Sequence, residues 1–167
     1  RVNHLLNICN INGAEVEPEN SKKIILDLCG GTGSWSRPYK EAGYDVRLVT
    51  LPEHDVCTYI PPKNVYGVLA ATPCDEFSIA KHFHGKGNYT HNFKAGLEVC
   101  AACCRIILFC KPKFWAIENP ANGLLKKWLG EPDYTFDPWQ FGHNYQKRTA
   151  LWGEFNKPAE TVRDKPE

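Results

Sequence analysis

Ile24-Ile25-Leu26-Asp27-Leu28-Cys29-Gly30-Gly31-Thr32-Gly33-Ser34-Trp35 is the stretch that decides the fold. Its apolar opening reads as a short buried strand, and the three glycines end that strand in a tight turn. A helix is predicted next: Ser34 or Ser36 can cap it, Pro38 fits its first turn, and Gly43 stops it before a second strand at 44–49. Working outward, 65–71 is a third apolar strand. Residues 93–110 carry apolar residues at helical spacing, with Leu97, Ala101, Cys104, Ile107 and Leu108 expected in the core. Residues 113–117 predict another strand, and 134–141 and 149–155 two more, open to antiparallel pairing. Strands alternating with helices predict an α/β protein with a doubly wound sheet, mostly parallel with an antiparallel strand near its end. In such sheets ligands sit beyond the carboxyl ends of the strands.

Composition narrows the function classes. A chain of 167 residues with 43% hydrophobic and 23% charged residues suits one globular core. We read residues 1–20 as a leader and 21–167 as a single domain. Lys and Arg number 20 against 19 Asp and Glu, a net charge of +1, so any nucleic-acid contact needs a local patch. No run approaches the ~18 apolar residues of a membrane span, and the first residues lack a signal-peptide layout, so a cytoplasmic protein without membrane partners is expected. The eight cysteines read as reduced thiols, because disulfide scaffolds are shorter chains with small cores. No metal site is expected either, since Cys100-x-x-Cys103 falls inside the predicted helix of 93–110.

Four segments fall at predicted strand ends. The turn after Asp27, with Gly30, Gly31 and Gly33, lets backbone N–H groups approach a ligand, and the same geometry serves dinucleotides, adenosyl groups and plain connections. Ala71-Thr72-Pro73-Cys74-Asp75-Glu76-Phe77-Ser78 would place Cys74 half-exposed at the sheet edge, as a nucleophile or merely as a small turn residue. Phe114-Trp115-Ala116-Ile117-Glu118-Asn119-Pro120 delivers a carboxylate and an amide to the same rim, where a buried Glu118 can be held protonated as an acid, or serve as a cap or surface ion pair. Gln146-Lys147-Arg148-Thr149 adds two cations, suited to hold a phosphate, orient a substrate or simply face water.

In order and spacing these segments resemble the cytosine-5 DNA methyltransferase family, most closely its short phage-type members, over about residues 24–155. The strings Glu118-Asn119-Pro120 and Phe141-Gly142-His143-Asn144-Tyr145-Gln146-Lys147-Arg148-Thr149-Ala150-Leu151-Trp152 carry much of that likeness. The resemblance implies a Rossmann-like sheet of the S-adenosylmethionine-dependent type. It implies a cofactor site from Asp27, Cys29, Gly30, Gly31, Gly33, Thr50, Asp55, Val56 and Pro73, with Cys74, Glu118 and Arg148 catalytic. Ser78, Asn119, Gln146 and Lys147 would then contact the substrate, a cytosine flipped out of DNA, in a bacterial or phage-infected cell with a role in restriction-modification.

The chemistry accounts for those residue types. Carbon 5 of cytosine is a poor nucleophile until a thiolate adds at carbon 6, and an acid at N3 offsets the charge that builds on the ring. Several positions depart from the family pattern: Cys29 for an aromatic, Thr50 and Leu51 near the ribose acid, Asp75 for glutamine, and Ala150 for a second arginine. No separate target-recognition domain is expected within the chain, which leaves recognition to a partner subunit or to the local residues Lys81, His82, His84, Lys86, Tyr89, His91 and Lys94. Two rivals keep the same residues: a catalytically silent nucleic-acid-binding or interaction module, and a methyltransferase acting on RNA or another pyrimidine.

Overall fold

The structure, a computed structural model, describes residues 19–78 and 91–162. Most of the expected leader, and Lys81, His82, His84, Lys86 and Tyr89, lie outside the described residues. Along the chain come β1 (Ile24–Leu28), α1 (Arg37–Glu41), β2 (Asp45–Val49), β3 (Val65–Ala71), α2 (Phe93–Cys110), β4 (Phe114–Pro120), α3 (Lys126–Leu129), β5 (Tyr134–Phe136) and β6 (Thr149–Glu154).

The six strands form one sheet in the order β2-β1-β3-β4-β6-β5. β2, β1, β3 and β4 run parallel, while β6 is antiparallel to both β4 and β5. This is a mixed α/β fold, mostly parallel with antiparallel strands at its end. β2 and β3 flank β1 on opposite sides, so the connections after β1 and β3 part from each other and leave a crevice at the carboxyl edge. Because β6 is reversed, its first residue, Thr149, arrives at that same edge opposite Pro120.

Side chains alternate across the sheet and build a core on each face. Leu26, Leu28, Val68, Ala70, Ile117 and Trp152 pack with Cys100, Cys103, Ile106 and Ile107 of α2. Ile25, Leu69, Ala116 and Leu151 pack instead with Tyr39 of α1, Trp35, Phe136 and Phe141. Asp27, Glu118 and Thr149 share the strand parity of this second set, so three polar groups lie on the α1 face near the carboxyl edge.

Two expectations need correction. The strand expected at 134–141 ends at Phe136, because Pro138 has no N–H for a ladder and starts a 3-10 turn, Pro138–Phe141, under a reciprocal cap between Asp137 and Gln140. The helix 93–110 forms at the expected bounds, but it is rotated from the expected face. Cys100, Ala102, Cys103, Ile106 and Ile107 are buried, whereas Leu108 and Phe109 are exposed. Arg105 fixes that rotation by donating through Nη2 to the carbonyls of Val56, Cys57 and Tyr59. Among the described residues no helix is long and apolar enough to cross a membrane, and no group of three or more His, Cys, Asp or Glu is arranged to hold a metal ion.

Candidate active site

The glycine turn is built around Asp27, which is fully buried. Ser36 Oγ donates to Asp27 Oδ2 at 2.5 Å, so the serine expected as a helix cap binds the carboxylate instead. Asp27 Oδ1 is buried with no hydrogen-bond partner, and burial raises the carboxyl pKa from 3.8 to about 6. A Cβ on Gly30 would overlap that carboxyl group, so only glycine lets the turn pass so close. Gly31 has φ +54° with nothing within 4 Å of an added Cβ, which leaves an open cradle on the outer side of the turn. Cys29, at φ 57°, adopts a left-handed conformation that costs a non-glycine residue energy. Its N–H donates to the Val49 carbonyl at 2.8 Å, and its thiol meets the buried Cys103 thiol, whose hydrogen bond lowers the Cys29 pKa.

Beside this turn lies a cavity of about 290 Å³ lined by Gly30, Thr32, Ser34, Trp35, Ala71, Glu118, Phe136, Pro138, Phe141, His143, Tyr145, Lys147 and Thr149. It has two characters. Thr32, Ser34, Glu118, Lys147 and Thr149 give one polar side, and Trp35, Phe136, Pro138 and Phe141 an apolar one. Glu118 sits in register with Ala71 on β3 and Leu151 on β6. Burial pushes its carboxyl pKa up, and the Lys147 ammonium opposes that rise.

Cys74 follows β3 on a turn in which its carbonyl accepts N–H bonds from Phe77 (3.0 Å) and Ser78 (2.8 Å). The thiol is half-buried. Desolvation raises its pKa, Lys147 lowers it, and Asp75 and Glu118 raise it further. Cys74, Glu118 and Lys147 therefore act on one another electrostatically. The turn is anchored from behind, where Leu124 N–H donates to the Phe77 carbonyl at 2.8 Å. Asn119 is fully buried and donates through Nδ2 to the carbonyl and hydroxyl of Thr72, at 3.0 and 3.1 Å, which locks the two strand ends together.

The remaining expected residues fall elsewhere. Arg148 is exposed and donates to Thr135 Oγ1 at 3.5 Å. Thr135 pairs with Ala150, so residue alternation turns Arg148 toward the face opposite Glu118 and gives the cavity to Lys147. Gln146 is exposed on the same approach, and Pro73 is exposed just before Cys74. Thr50, Asp55 and Val56 lie on the Cys29 side of the glycine turn. Thr50 offers its carbonyl to His54 N–H, Asp55 Oδ1 accepts Cys57 N–H at 2.9 Å, and Val56 is buried in the α2-side core. The cavity's aromatic wall went unread, although Asp137-Pro138 with Gln140 spelled the capped turn that places Phe136 and Phe141.

The fold and these residues together define an α/β protein with a cavity that brings the glycine turn, a carboxyl of raised pKa and an ammonium together, and a thiol that feels the last two. No family model matches the chain. A curated relative is 29% identical over 147 residues, covering 77% of this chain and 69% of its own length; it is a probable DNA (cytosine-5)-methyltransferase of Frog virus 3 (isolate Goorha).

Proposed function

We propose that this protein transfers a methyl group from S-adenosylmethionine to carbon 5 of cytosine in DNA through a covalent adduct at Cys74. The observation that carries this reading is that Glu118 and Lys147 line one cavity with the glycine turn and that the Cys74 thiol feels the charge of both. The similarity to a viral protein named for the same reaction supports it.

The residues present fit the cofactor. Asp27 Oδ1 is an orphaned buried acceptor, and Gly31 leaves open space where a side chain would stand. Gly30, Gly31 and Gly33 would bring backbone to the cofactor, with Thr32 and Ser34 hydroxyls at the cavity wall. When bound, S-adenosylmethionine supplies an electrophilic sulfonium methyl group.

The protein's own steps concern the thiol and the carboxyl. In the free site burial, Asp75 and Glu118 favour the thiol form of Cys74, and Lys147 opposes them. A protonated Glu118 is no longer one of those negative neighbours, so the neutral acid, like Lys147, eases loss of the thiol proton against the desolvation that resists it. The thiolate adds to carbon 6 of cytosine, forming a C–S bond as the ring's double-bond electrons move to carbon 5, the atom to be methylated. Glu118 holds a proton at N3 and offsets the charge that arrives there. After methylation a water molecule takes the proton from carbon 5, the 5,6 double bond reforms as the thiolate leaves, and the N3 proton returns to Glu118.

The test is methyl transfer from tritiated S-adenosylmethionine to cytosine-containing oligonucleotides. Cys74→Ala is expected to abolish transfer while calorimetry still shows cofactor binding. Turnover retained in that variant would remove Cys74 from the mechanism.

A further inference from the structure

One turn from the nucleophile an aromatic cluster runs out of the core to the surface: Phe77 belongs to the α2-side core and Phe93 packs against it. Phe77, which donates its N–H to the Cys74 carbonyl, meets the Trp128 ring edge-on at 5.7 Å between centroids. Trp128 also meets Phe93 at 5.2 Å, and Phe93 is stacked on His91 at 5.0 Å with 13° between planes. Phe77 is fully buried, yet Trp128, which touches both Phe77 and Phe93, is 43% exposed.

Lysines stand next to that exposed indole in sequence, with the exposed Glu131 three residues beyond it. Lys126 and Lys127 precede Trp128 on α3 and both are exposed; neither has an ion-pair partner among the described residues. Lys94 stands next to Phe93, 4.0 Å from Glu98 in an exposed pair that contributes little. Glu76, the acid nearest the cluster in sequence, is engaged as acceptor for the Asn92 N–H at the start of α2. An exposed indole among lysines matches the two demands of an unpaired nucleotide, a π-face for the base and cations for its phosphates.

We propose that Trp128, with Lys126, Lys127 and Lys94, forms a shelf on which an unstacked base of the DNA strand neighbouring the target cytosine is held. The location of the target base rests on the methyl-transfer reading, while the shelf's binding is independent of turnover. A paired base has its faces covered, so the shelf selects strands locally opened, the same condition that attack by Cys74 at carbon 6 imposes.

The test uses fluorescence anisotropy of an end-labelled single-stranded DNA dodecamer containing cytosine, with the full chain. Trp128→Ala is expected to weaken binding roughly 5- to 100-fold, the scale of losing one base stack, and Trp128→Phe much less. The double variant Lys126→Glu with Lys127→Glu touches only exposed side chains. It should weaken binding and lower the slope of log affinity against log salt by about 0.7 for each phosphate that is no longer neutralised. Circular dichroism melts identify a Trp128→Ala protein that has lost its fold, in which case Trp128→Phe and the lysine variant decide. Binding unchanged in the folded Trp128 and lysine variants overturns the shelf, and if methyl transfer persists it leaves the catalytic reading standing. Binding that follows Trp128 in a chain that transfers no methyl group supports the shelf and overturns only the catalytic reading.

Discussion

Replacing Asp27 by asparagine removes a buried charge without changing the side chain's shape, and the pH dependence of stability should change in a calculable way. Burial raises the Asp27 pKa from 3.8 to about 6 in the folded protein. A raised folded pKa means that the native state holds the proton more tightly than the unfolded chain. The carboxyl's contribution is therefore fully present below about pH 4 and is lost as pH rises through 6. For one such group, the folded state's disadvantage is small at pH 4 and grows to about 3 kcal/mol at pH 7. Asp27→Asn lacks this titration and can still accept the Ser36 hydroxyl proton. Urea unfolding of both proteins between pH 4 and 7.5 should show the variant gaining on the parent by about 2 kcal/mol from pH 4 to 7. Parallel stability curves would refute the assignment of a buried, desolvated carboxyl at the glycine turn.

Gly30→Ala forces a Cβ into the Asp27 carboxyl group, and urea unfolding should show a loss of about 1–3 kcal/mol, the cost of overpacking a tight site. Arg105→Ala removes the donor shared by the carbonyls of Val56, Cys57 and Tyr59; the same assay should report a loss of about 1–2 kcal/mol, reduced from the buried value because the guanidinium is exposed. Glu118→Gln keeps the shape and removes the titratable proton, so single-turnover methyl transfer should slow by roughly two to four powers of ten.

The strands were readable because each is a short apolar run bounded by breakers: 24–28 and 65–71 form as expected, and α2 spans the expected residues. The face that α2 buries was not readable. The stretch from Cys100 to Cys110 is apolar almost all round, and its rotation is set by Arg105 reaching a loop some 45 residues away in sequence. Position 138 was readable in principle, since proline cannot donate to a ladder, but the neighbouring aromatic residues suggested a longer strand.

At the site, sequence order was enough to bring three segments to one edge, because β1, β3 and β4 are parallel and end there, while the fourth arrives because β6 is reversed and starts there. It did not give the phase at residues 147 and 148. That phase depends on where β6 begins pairing, and Thr149 opposite Pro120 sends Lys147 toward Glu118 and Arg148 toward Thr135. The hydrophobic side of the cavity was hidden for a related reason: Trp35, Phe136 and Phe141 meet only after the sheet assembles β6 between β4 and β5.

The central claim is a thiolate adduct at Cys74, and DNA carrying 5-fluorocytosine tests it most directly, because fluorine at carbon 5 cannot leave as a proton does and the adduct stalls. Incubated with tritiated S-adenosylmethionine, the protein should form a denaturation-resistant complex carrying one DNA strand and the labelled methyl group, absent in Cys74→Ala. A protein that binds the cofactor and the DNA yet forms no such complex would contradict the account.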